Sequence, residues 1–403
     1  TGATDVTSGV LSVGGSLSEN SAVSVSDGAT YVVGADDAVG SIAGSGSINL
    51  GSSTLSVGAD NSSTEFAGVV SGSGSFIKGG SGTLTLSGAN TYTGPTAINN
   101  GVVVVSGSLS NSTAVDVGSL GTYEVGADNT VGSIAGGGSI NLGSSILSVG
   151  VDNRSTEFSG VLSGAGSFVK EGTGSLMLSG ANTYTGSTAI NNGALLVSGS
   201  LSDVTDVVIR EGSTYELGLS DRVGSIAGAG SIVLNTFQLT AGNELDTIFS
   251  GVMSGLKGVH DDSNDPYGNN DPYDPYGNND PYLEDAYRST TKDHEESLSG
   301  VFTKIGTGTL ELSGENTFTG QTSIEGGTLL VSGSLSNETA VNIGDSGVYE
   351  VGVDDTVGSI SGSGAINLGS SILSVGGDNI DTEFFGVVSG AGGIAKQGTG
   401  TLT

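Results

Sequence analysis

The sequence predicts an all-β solenoid, in which short strands stack on one another as the coils of a parallel β-helix. Three observations lead to this fold class: 73 of the 403 residues are glycine, apolar residues alternate with Ser, Thr or Gly in short runs, and the pattern recurs every 92 residues. Each interior glycine costs a helix about 1 kcal/mol relative to alanine, whereas alternation with period two is typical of strands with one buried face. Recurrence at a fixed period indicates a repeat architecture.

The length of the repeat follows from two strings. VGSIAG begins at Val39, Val131 and Val223 and returns as VGSISG at Val357, so that the spacings are 92, 92 and 134 residues. LSGANTYTG and its variant LSGENTFTG show the same spacings, and the third unit therefore carries 42 additional residues. We predict one continuous domain over 1–403, built from four units at about 1–92, 93–184, 185–318 and 319–403.

Short alternating runs predict the strands within a unit. In the second unit these runs begin at Gly101, Ala114, Thr122, Gly132, Ser139, Ile146, Gly166 and Ser175. Turn residues (Gly, Ser, Asn and Asp) separate them. A β-propeller also repeats short strands, but the chain contains no Trp for the signatures of its blades. Coils of roughly 18–23 residues, spaced by ~4.8 Å, would give about 16–20 coils and a rod on the order of 80–95 Å long.

Aromatic residues recur at fixed places in the unit and are predicted to fill the core. The three columns are Tyr31, Tyr123, Tyr215 and Tyr349; Phe66, Phe158, Phe249 and Phe384; and Phe76, Phe168 and Phe302. Platforms on which a carbohydrate stacks are the alternative interpretation.

The composition excludes several classes of function. A net charge of −32 argues against binding of nucleic acid and of anionic lipid, because both need a basic surface. The chain contains no Cys, which removes disulfides, thiol catalysis and thiolate metal sites. No apolar run approaches the ~18 residues of a membrane span.

The acidic residues that could serve an enzyme recur in every unit, whereas an active site is normally unique. Asp36, Asp37, Asp128, Asp354 and Asp355 are therefore interpreted as turn residues that hydrogen-bond their own backbone. The sequence also lacks the nucleophile and zinc-hydrolase motifs. We expect a protein that is not an enzyme and needs no cofactor.

Lysine forms one repeated basic column, made of Lys78, Lys170, Lys304 and Lys396. Two roles remain open for it. The ammonium groups could pair with nearby turn acids, or they could form a lateral contact row against an acidic neighbour.

The additional residues of the third unit form an insertion at about 256–298. Four of the five prolines lie in it, and a proline would break a central strand, so the insertion is predicted to protrude as an acidic Pro/Tyr/Asn-rich loop. Its Asp/Asn-rich core could bind Ca²⁺ through hard oxygen ligands. The candidate ligands are Asp265, Asn269, Asp271, Asp274, Asn278 and Asp280. The alternative is a solvated loop that contacts a partner through Tyr267, Tyr273, Tyr276 and Tyr282.

One string carries a specific family resemblance. GSGTLTLSGANTYTGPTAINNGVVVVSGSLSNST, from Gly80 to Thr113, recurs in close copies from Gly172 and from Gly306. It resembles the autotransporter-associated β-strand repeat, also called the passenger-associated transport repeat, of Gram-negative type V secretion passengers. The resemblance implies a right-handed parallel β-helix that is exported to the cell surface or secreted.

These observations together predict a non-enzymatic extracellular rod that acts through multivalent contacts. The expected partners are a host or neighbouring cell surface, a glycan, or copies of the chain itself as a homo-oligomer or filament. Two alternatives stay open: a segment of an extracellular fibre or sheath assembled end to end, and a polysaccharide-cleaving β-helix. The chain is expected to be a window from a longer array.

Overall fold

The structure, a computed structural model, describes residues 2–255 and 299–403. Over these residues the chain is a parallel β-solenoid of about 18 turns without helix, which confirms the predicted fold class. The described residues therefore contain no helix of the length and hydropathy that a membrane crossing requires. The predicted insertion, 256–298, lies outside the described residues.

The strands are short and follow the alternating runs of the sequence. The first unit contributes β1 (Thr4–Val6), β2 (Val10–Val13), β3 (Ala22–Val25), β4 (Thr30–Val33), β5 (Asp37–Val39), β6 (Ser41–Gly44), β7 (Ser47–Asn49), β8 (Leu55–Val57), β9 (Thr64–Phe66), β10 (Val69–Ser71), β11 (Phe76–Lys78) and β12 (Thr83–Leu86). The second contributes β13 (Thr96–Val105), β14 (Ala114–Val125), β15 (Asn129–Val131), β16 (Ser133–Gly136), β17 (Ser139–Asn141), β18 (Ile146–Val149), β19 (Thr156–Phe158), β20 (Val161–Ser163), β21 (Ser167–Lys170) and β22 (Ser175–Leu178).

The other two units repeat the same pattern. The third unit contributes β23 (Thr188–Ile190), β24 (Ala194–Val197), β25 (Asp206–Ile209), β26 (Thr214–Leu217), β27 (Asp221–Val223), β28 (Ser225–Gly228), β29 (Ser231–Val233), β30 (Gln238–Ala241), β31 (Thr247–Phe249), β32 (Val252–Ser254), β33 (Val301–Lys304) and β34 (Thr309–Leu312). The fourth contributes β35 (Thr322–Ile324), β36 (Gly327–Val331), β37 (Ala340–Ile343), β38 (Gly347–Val351), β39 (Asp355–Val357), β40 (Ser359–Gly362), β41 (Ala365–Asn367), β42 (Ile372–Val375), β43 (Val387–Ser389) and β44 (Gly393–Lys396).

Every strand pairs in parallel with strands of the neighbouring coils, and the pairs form three stacks along the rod. Stack I contains β5, β8, β11, the first parts of β13 and β14, β16, β19, β22, β24, β26, β29, β32, β39, β42 and β44. Stack II contains β2, β4, β7, β10, β15, β18, β21, β23, β25, β28, β31, β34, β36, β38, β41 and β43. Stack III contains β1, β3, β6, β9, β12, the second parts of β13 and β14, β17, β20, β27, β30, β33, β35, β37 and β40.

Equivalent residues of successive units lie on successive stacks. Phe76 is in β11 of stack I, Phe168 in β21 of stack II and Phe302 in β33 of stack III, while Ile394 in β44 returns to stack I. A unit of 92 residues is therefore not a whole number of coils. The same sequence motif faces a different side of the rod in each of three consecutive units.

The interior of the solenoid is filled by inward-facing side chains, as the alternation predicts. The tyrosine column and the Phe76, Phe168 and Phe302 column are fully buried, and so are Phe66, Phe158 and Phe249, whereas Phe384 is half-buried. These columns are therefore core residues rather than platforms on the surface.

Glycine is required where neighbouring coils approach most closely. A Cβ atom on Gly160 would lie 1.8 Å from the carbonyl oxygen of Gly138, and one on Gly180 would lie 1.8 Å from that of Gly160. Since no side chain fits at such distances, the coils can pack at this corner only through glycine. The glycine-rich composition is thus a consequence of coil packing.

Candidate functional site

The asparagine that recurs in the LSGANTY motif bridges each interruption of a stack by hydrogen bonds. Asn90 accepts a 3.0 Å bond from the Val70 backbone N–H through Oδ1, and its Nδ2 donates to the Gly88 and Ser108 carbonyls at 3.0 and 3.1 Å. Asn182 and Asn316 make the same bonds in the next two units. All three side chains are buried. The amide replaces a strand where the chain turns, so its role is to hold two coils together.

The aromatic residue of the same motif is fixed by a threonine four positions later. The hydroxyls of Tyr92 and Thr96 lie 2.5 Å apart, as do those of Tyr184 and Thr188. In the third unit phenylalanine stands at this place, as Phe318, and Oγ1 of the buried Thr322 has no hydrogen-bond partner among the described residues. One unit thus has an unsatisfied hydroxyl that the other two satisfy.

The lysine column lies inside the coil. Lys170 has only 1% of its surface exposed, and its Nζ donates to the carbonyls of Glu171 at 2.5 Å, Gly172 at 2.9 Å and Asn192 of the following coil at 3.3 Å. Lys78 and Lys304 are buried equally and make the equivalent three bonds. Each ammonium therefore links a turn to the next coil through hydrogen bonds to carbonyls of both.

Burial also changes the acidity of these ammonium groups. Desolvation lowers the pKa of Lys170 and of Lys304 to about 8, although neighbouring carboxylates oppose the shift. The pKa of Lys78 is lowered for the same reason. Both ion pairs found in the described part of the chain involve arginine, so the lysines bond to backbone carbonyls rather than to turn acids. Lys396, in the last coil, is the exposed member of the column and bonds to the Gln397 carbonyl.

The alternation of the sequence contained the signal for this burial. In the strings FIK, FVK and FTK, the lysine lies two residues after a core phenylalanine, so both side chains point inward. A charged residue is rarely buried without partners, and the sequence offers only turn acids or an acidic neighbour as partners for these lysines. Backbone carbonyls are the partners that the sequence did not reveal.

A second interior column pairs tyrosine with an acid or an amide. The Tyr31 hydroxyl donates to Asp37 at 2.5 Å, and the Tyr215 hydroxyl donates to Asp221 at 2.7 Å. Tyr349 and Asp355 form the equivalent pair at 3.2 Å. The second unit has Asn129 instead, whose Nδ2 donates to the Tyr123 hydroxyl at 3.0 Å. In all four units the acid or amide also accepts from a leucine N–H of the preceding coil.

Two carboxyl groups of this column, those of Asp221 and Asp355, are harder to ionise than an exposed aspartate. Desolvation raises the pKa of Asp221 and of Asp355, although the hydrogen bonds that each carboxylate accepts oppose the shift. Burial likewise raises the pKa of the tyrosine hydroxyls above its ordinary value. Since all these groups lie in the core, they are out of reach of a substrate on the outside of the rod.

The remaining turn acids hydrogen-bond to neighbouring coils, and Asp60 also bonds within its own turn. Asp36, Asp128 and Asp354 each accept a backbone N–H located 18 residues further on, in the next coil. Asp60 combines both functions, because Oδ1 accepts the Ser62 N–H of its own turn and Oδ2 accepts the Ser41 hydroxyl of the preceding coil. The predicted bond to the acid's own backbone is therefore found at Asp37 and Asp355, which accept the N–H of the following residue, whereas Asp36, Asp128 and Asp354 bond to the next coil instead.

The predicted Ca²⁺ ligands and the predicted contact tyrosines belong to the insertion. Asp265, Asn269, Asp271, Asp274, Asn278 and Asp280, and also Tyr267, Tyr273, Tyr276 and Tyr282, lie outside the described residues. Within 2–255 and 299–403 no three His, Asp or Glu side chains come together as a metal site would require.

Comparison with known proteins shows which family and which protein this chain is similar to. A family model described as the passenger-associated-transport-repeat matches residues 76–105, 168–197 and 302–331, which contain the asparagine, aromatic, threonine and lysine positions above. The chain is also 31% identical, over 433 aligned residues, to the "Adhesin BmaC autotransporter" of Brucella suis biovar 1 (strain 1330). The alignment covers 99% of this chain and 11% of that protein. No solved structure gives a significant match. The chain therefore carries three copies of the passenger-associated transport repeat, which confirms the resemblance that its sequence predicted.

Proposed function

We propose that the chain is an adhesive segment of an autotransporter passenger, a rod outside a Gram-negative cell that binds surfaces and catalyses no reaction. The observation that carries this proposal is the similarity to an autotransporter adhesin along 99% of the chain. The three passenger repeats support the same export route. The proposal concerns this segment, which spans 11% of the length of that relative.

The arrangement of the stacks supports a multivalent mode of binding. Because each unit is displaced by one stack, equivalent outward side chains face three sides of the rod and return to the first side in the fourth unit. Weak contacts of a repeated kind gain affinity when several are made at once. A flat surface would meet equivalent positions only every third unit, whereas partners around the rod could engage every unit.

The positions of the acidic residues favour a binding rod over a polysaccharide-cleaving enzyme. Glycoside hydrolysis needs two carboxyl groups that face the scissile bond together. The recurring acids Asp37, Asp221 and Asp355 are buried, and the turn acids bind backbone N–H groups of their own or adjacent coils. These carboxylates therefore have structural roles.

Attachment of the purified chain to cells tests the proposal. Fluorescent beads coated with the chain should bind to cultured epithelial cells more than beads coated with an unrelated acidic protein. A variant without 256–298, which joins Gly255 to Ser299, separates the rod from the insertion, because the second unit makes the same connection without one. Equal binding by chain-coated and control beads would contradict an adhesive role.

Lateral self-association is a second candidate function, and one observation favours it. Five outward positions that follow one another on stack II are apolar: Val169, Ala189, Val208, Ala227 and Ile248. Val208 and Ile248 are 39% and 56% exposed, and the first unit has Ser24 and Glu65 at their places. Exposed apolar stripes of this kind are typical of interaction surfaces.

Sedimentation velocity tests whether the chain associates with copies of itself or stays monomeric. If rods associate through the stripe, the weight-average mass should rise with concentration. A Val208→Ser/Ile248→Glu variant should keep the mass of the monomer. A mass that stays monomeric at all concentrations would rule out self-association of this segment.

A further inference from the structure

Asparagine is followed directly by glycine at two places in the sequence, Asn100-Gly101 and Asn192-Gly193, and both pairs lie beside a buried lysine. The ammonium binds the carbonyl oxygen of the peptide group that joins the two residues. Nζ of Lys170 donates to the Asn192 oxygen at 3.3 Å. Nζ of Lys78 makes the same bond to the Asn100 oxygen at 3.3 Å. A single peptide group therefore connects the ammonium with the glycine nitrogen.

The glycine nitrogen of each pair also lies next to the side-chain amide of its own asparagine. The Gly193 N–H donates to Oδ1 of Asn192 at 3.0 Å. The Gly101 N–H donates to Oδ1 of Asn100 at 2.7 Å. Since Cγ is bonded to Oδ1, the nitrogen lies near the carbon that it would attack to close a five-membered ring. Holding two reacting groups together in this way removes part of the entropic barrier to their reaction.

Packing fixes glycine after each of these asparagines. Gly101 and Gly193 have φ angles of 69° and 66°, in the left-handed region that favours glycine. A Cβ atom on Gly193 would lie 2.5 Å from the carbonyl oxygen of Gly174. Because glycine has no side chain, nothing attached to the same residue crowds its nitrogen. Asn192 is exposed to water, and Asn100 is half-buried.

The lysine is placed to promote closure of the ring. Closure requires the glycine nitrogen to lose its proton, and the negative charge that results is shared with the carbonyl oxygen of the asparagine. A donor aimed at an oxygen on which charge develops stabilises that charge, as in an oxyanion hole. The Lys170 ammonium donates to this oxygen. It is 1% exposed, so little water screens the interaction.

We propose that Asn100 and Asn192 are sites of deamidation, which the lysine bound to each of them promotes. The glycine nitrogen forms a bond to Cγ, the bond between Cγ and Nδ2 breaks, and Nδ2 leaves as ammonia with the proton that the nitrogen lost. Water then opens the ring at either carbonyl, which gives aspartate or isoaspartate. Each conversion adds one negative charge. Isoaspartate also lengthens the backbone by one atom at the carbonyl that the lysine binds, and so weakens the link between coils.

The third unit provides a comparison within the chain. Its equivalent pair is Gly326-Gly327, and Nζ of Lys304 donates to the Gly326 oxygen at 3.1 Å. The lysine and its bond are thus present where the reactive amide is missing. Asn192→Gly is therefore a variant that the fold already accommodates, and it should abolish the modification at this site.

Peptide mapping of the whole chain after prolonged incubation at neutral pH tests the proposal. Aspartate and isoaspartate, the latter labelled by an isoaspartyl methyltransferase, should accumulate at Asn100 and Asn192 faster than at asparagines followed by other residues. Removing one donor of an oxyanion hole slows a reaction by about a hundredfold or more, and we expect roughly a tenfold slower reaction at Asn192 in Lys170→Met because this asparagine is exposed. The rate at Asn100 should stay the same in this variant, and Lys78→Met should give the reverse result. Circular dichroism checks that each variant stays folded during the incubation.

The direction of the effect separates promotion by the lysine from a purely structural role. Loss of the link between coils alone would loosen the turn and speed up deamidation, because a mobile asparagine reaches the ring geometry more easily. An unchanged or faster reaction at Asn192 in Lys170→Met would therefore overturn the role of the lysine. If neither aspartate nor isoaspartate forms at the two Asn-Gly pairs of the native chain, the modification sites themselves are refuted.

Discussion

The Tyr215 hydroxyl donates a 2.7 Å hydrogen bond to the carboxylate of Asp221 in the interior of the solenoid. The second unit holds Asn129 at the place of that acid, and its amide donates to the Tyr123 hydroxyl instead. The chain thus contains this buried pair in two forms, with an acid in the third unit and a neutral amide in the second. The amide form predicts how an Asp→Asn variant behaves.

Replacing the buried acids should make the stability of the chain less dependent on pH. The pKa of Asp221 and of Asp355 is raised by desolvation. Stability from such a group is fully present below the ordinary aspartate pKa and is lost as the pH rises through the raised value. The urea midpoint of the native chain should therefore increase on mild acidification from neutral pH.

The double variant Asp221→Asn/Asp355→Asn isolates this contribution, because lower net charge also stabilises an acidic protein at lower pH. It should unfold at higher urea than the native chain at pH 7, and the two midpoints should converge as the pH is lowered towards 4. A variant that is less stable at pH 7 would show that the carboxylates contribute more through their hydrogen bonds than their desolvation costs.

Phe318→Tyr should stabilise the third unit. The new hydroxyl would supply the missing partner of the Thr322 hydroxyl, as Tyr184 does for Thr188. We expect a gain of about 1 kcal/mol in the free energy of unfolding, measured by urea denaturation. The matched control is Tyr184→Phe, which should lose a similar amount. A destabilising Phe318→Tyr would mean that the packing around residue 318 leaves no room for the hydroxyl.

Lys170→Met should destabilise the chain, although lysine is a charged residue in an apolar interior. The substitution leaves the carbonyls of Glu171, Gly172 and Asn192 without their donor. Since an unsatisfied buried group costs about 1–3 kcal/mol, we expect a loss of about 2 kcal/mol or more in urea unfolding at pH 7. Lys396→Met, at the exposed member of the column, should change stability by less than about 0.5 kcal/mol. Equal effects at both positions would refute the proposed tie between coils.

The Ca²⁺ site predicted in the insertion stays a prediction, and calorimetry can test it. Titration of CaCl₂ into the chain should release or absorb heat that a variant lacking 256–298 does not. Replacing Asp265, Asp271, Asp274 and Asp280 by Asn should remove the same signal, because Ca²⁺ binds charged oxygen ligands most strongly. Indistinguishable heats for the chain and for the variant without the insertion would exclude the site.

The sequence was informative about the rod and less so about its interior polar groups. Period-two alternation correctly predicted strands such as those from Ile146 and Ser175, and the recurrence of Phe76 and Tyr123 correctly indicated core columns. For Lys170 the sequence predicts an acidic partner, and for Asp37 a bond to its own turn, but neither pattern predicts that the side chain is buried. Their burial depends on carbonyls and a tyrosine hydroxyl contributed by other segments of the chain.

The displacement of each unit by one stack also could not be read from the sequence. A period of 92 residues fixes the spacing of equivalent residues, but not how many residues one coil takes. The coil length depends on tight corners, such as that between Gly138 and Gly160, which only the three-dimensional packing defines.

A cross-link across the insertion tests most directly that one continuous solenoid connects all four units. Thr240 in β30 is aligned with Thr303 in β33, 63 residues later along the chain. Adjacent strands lie ~4.8 Å apart, which suits the Cα separation of a disulfide. The chain has no native Cys to interfere. After mild oxidation of Thr240→Cys/Thr303→Cys, peptide mass mapping should find a disulfide between the two positions. If both thiols stay free while the control pair Val208→Cys/Ala227→Cys cross-links, the coils on either side of the insertion are not stacked, and the continuous solenoid is contradicted.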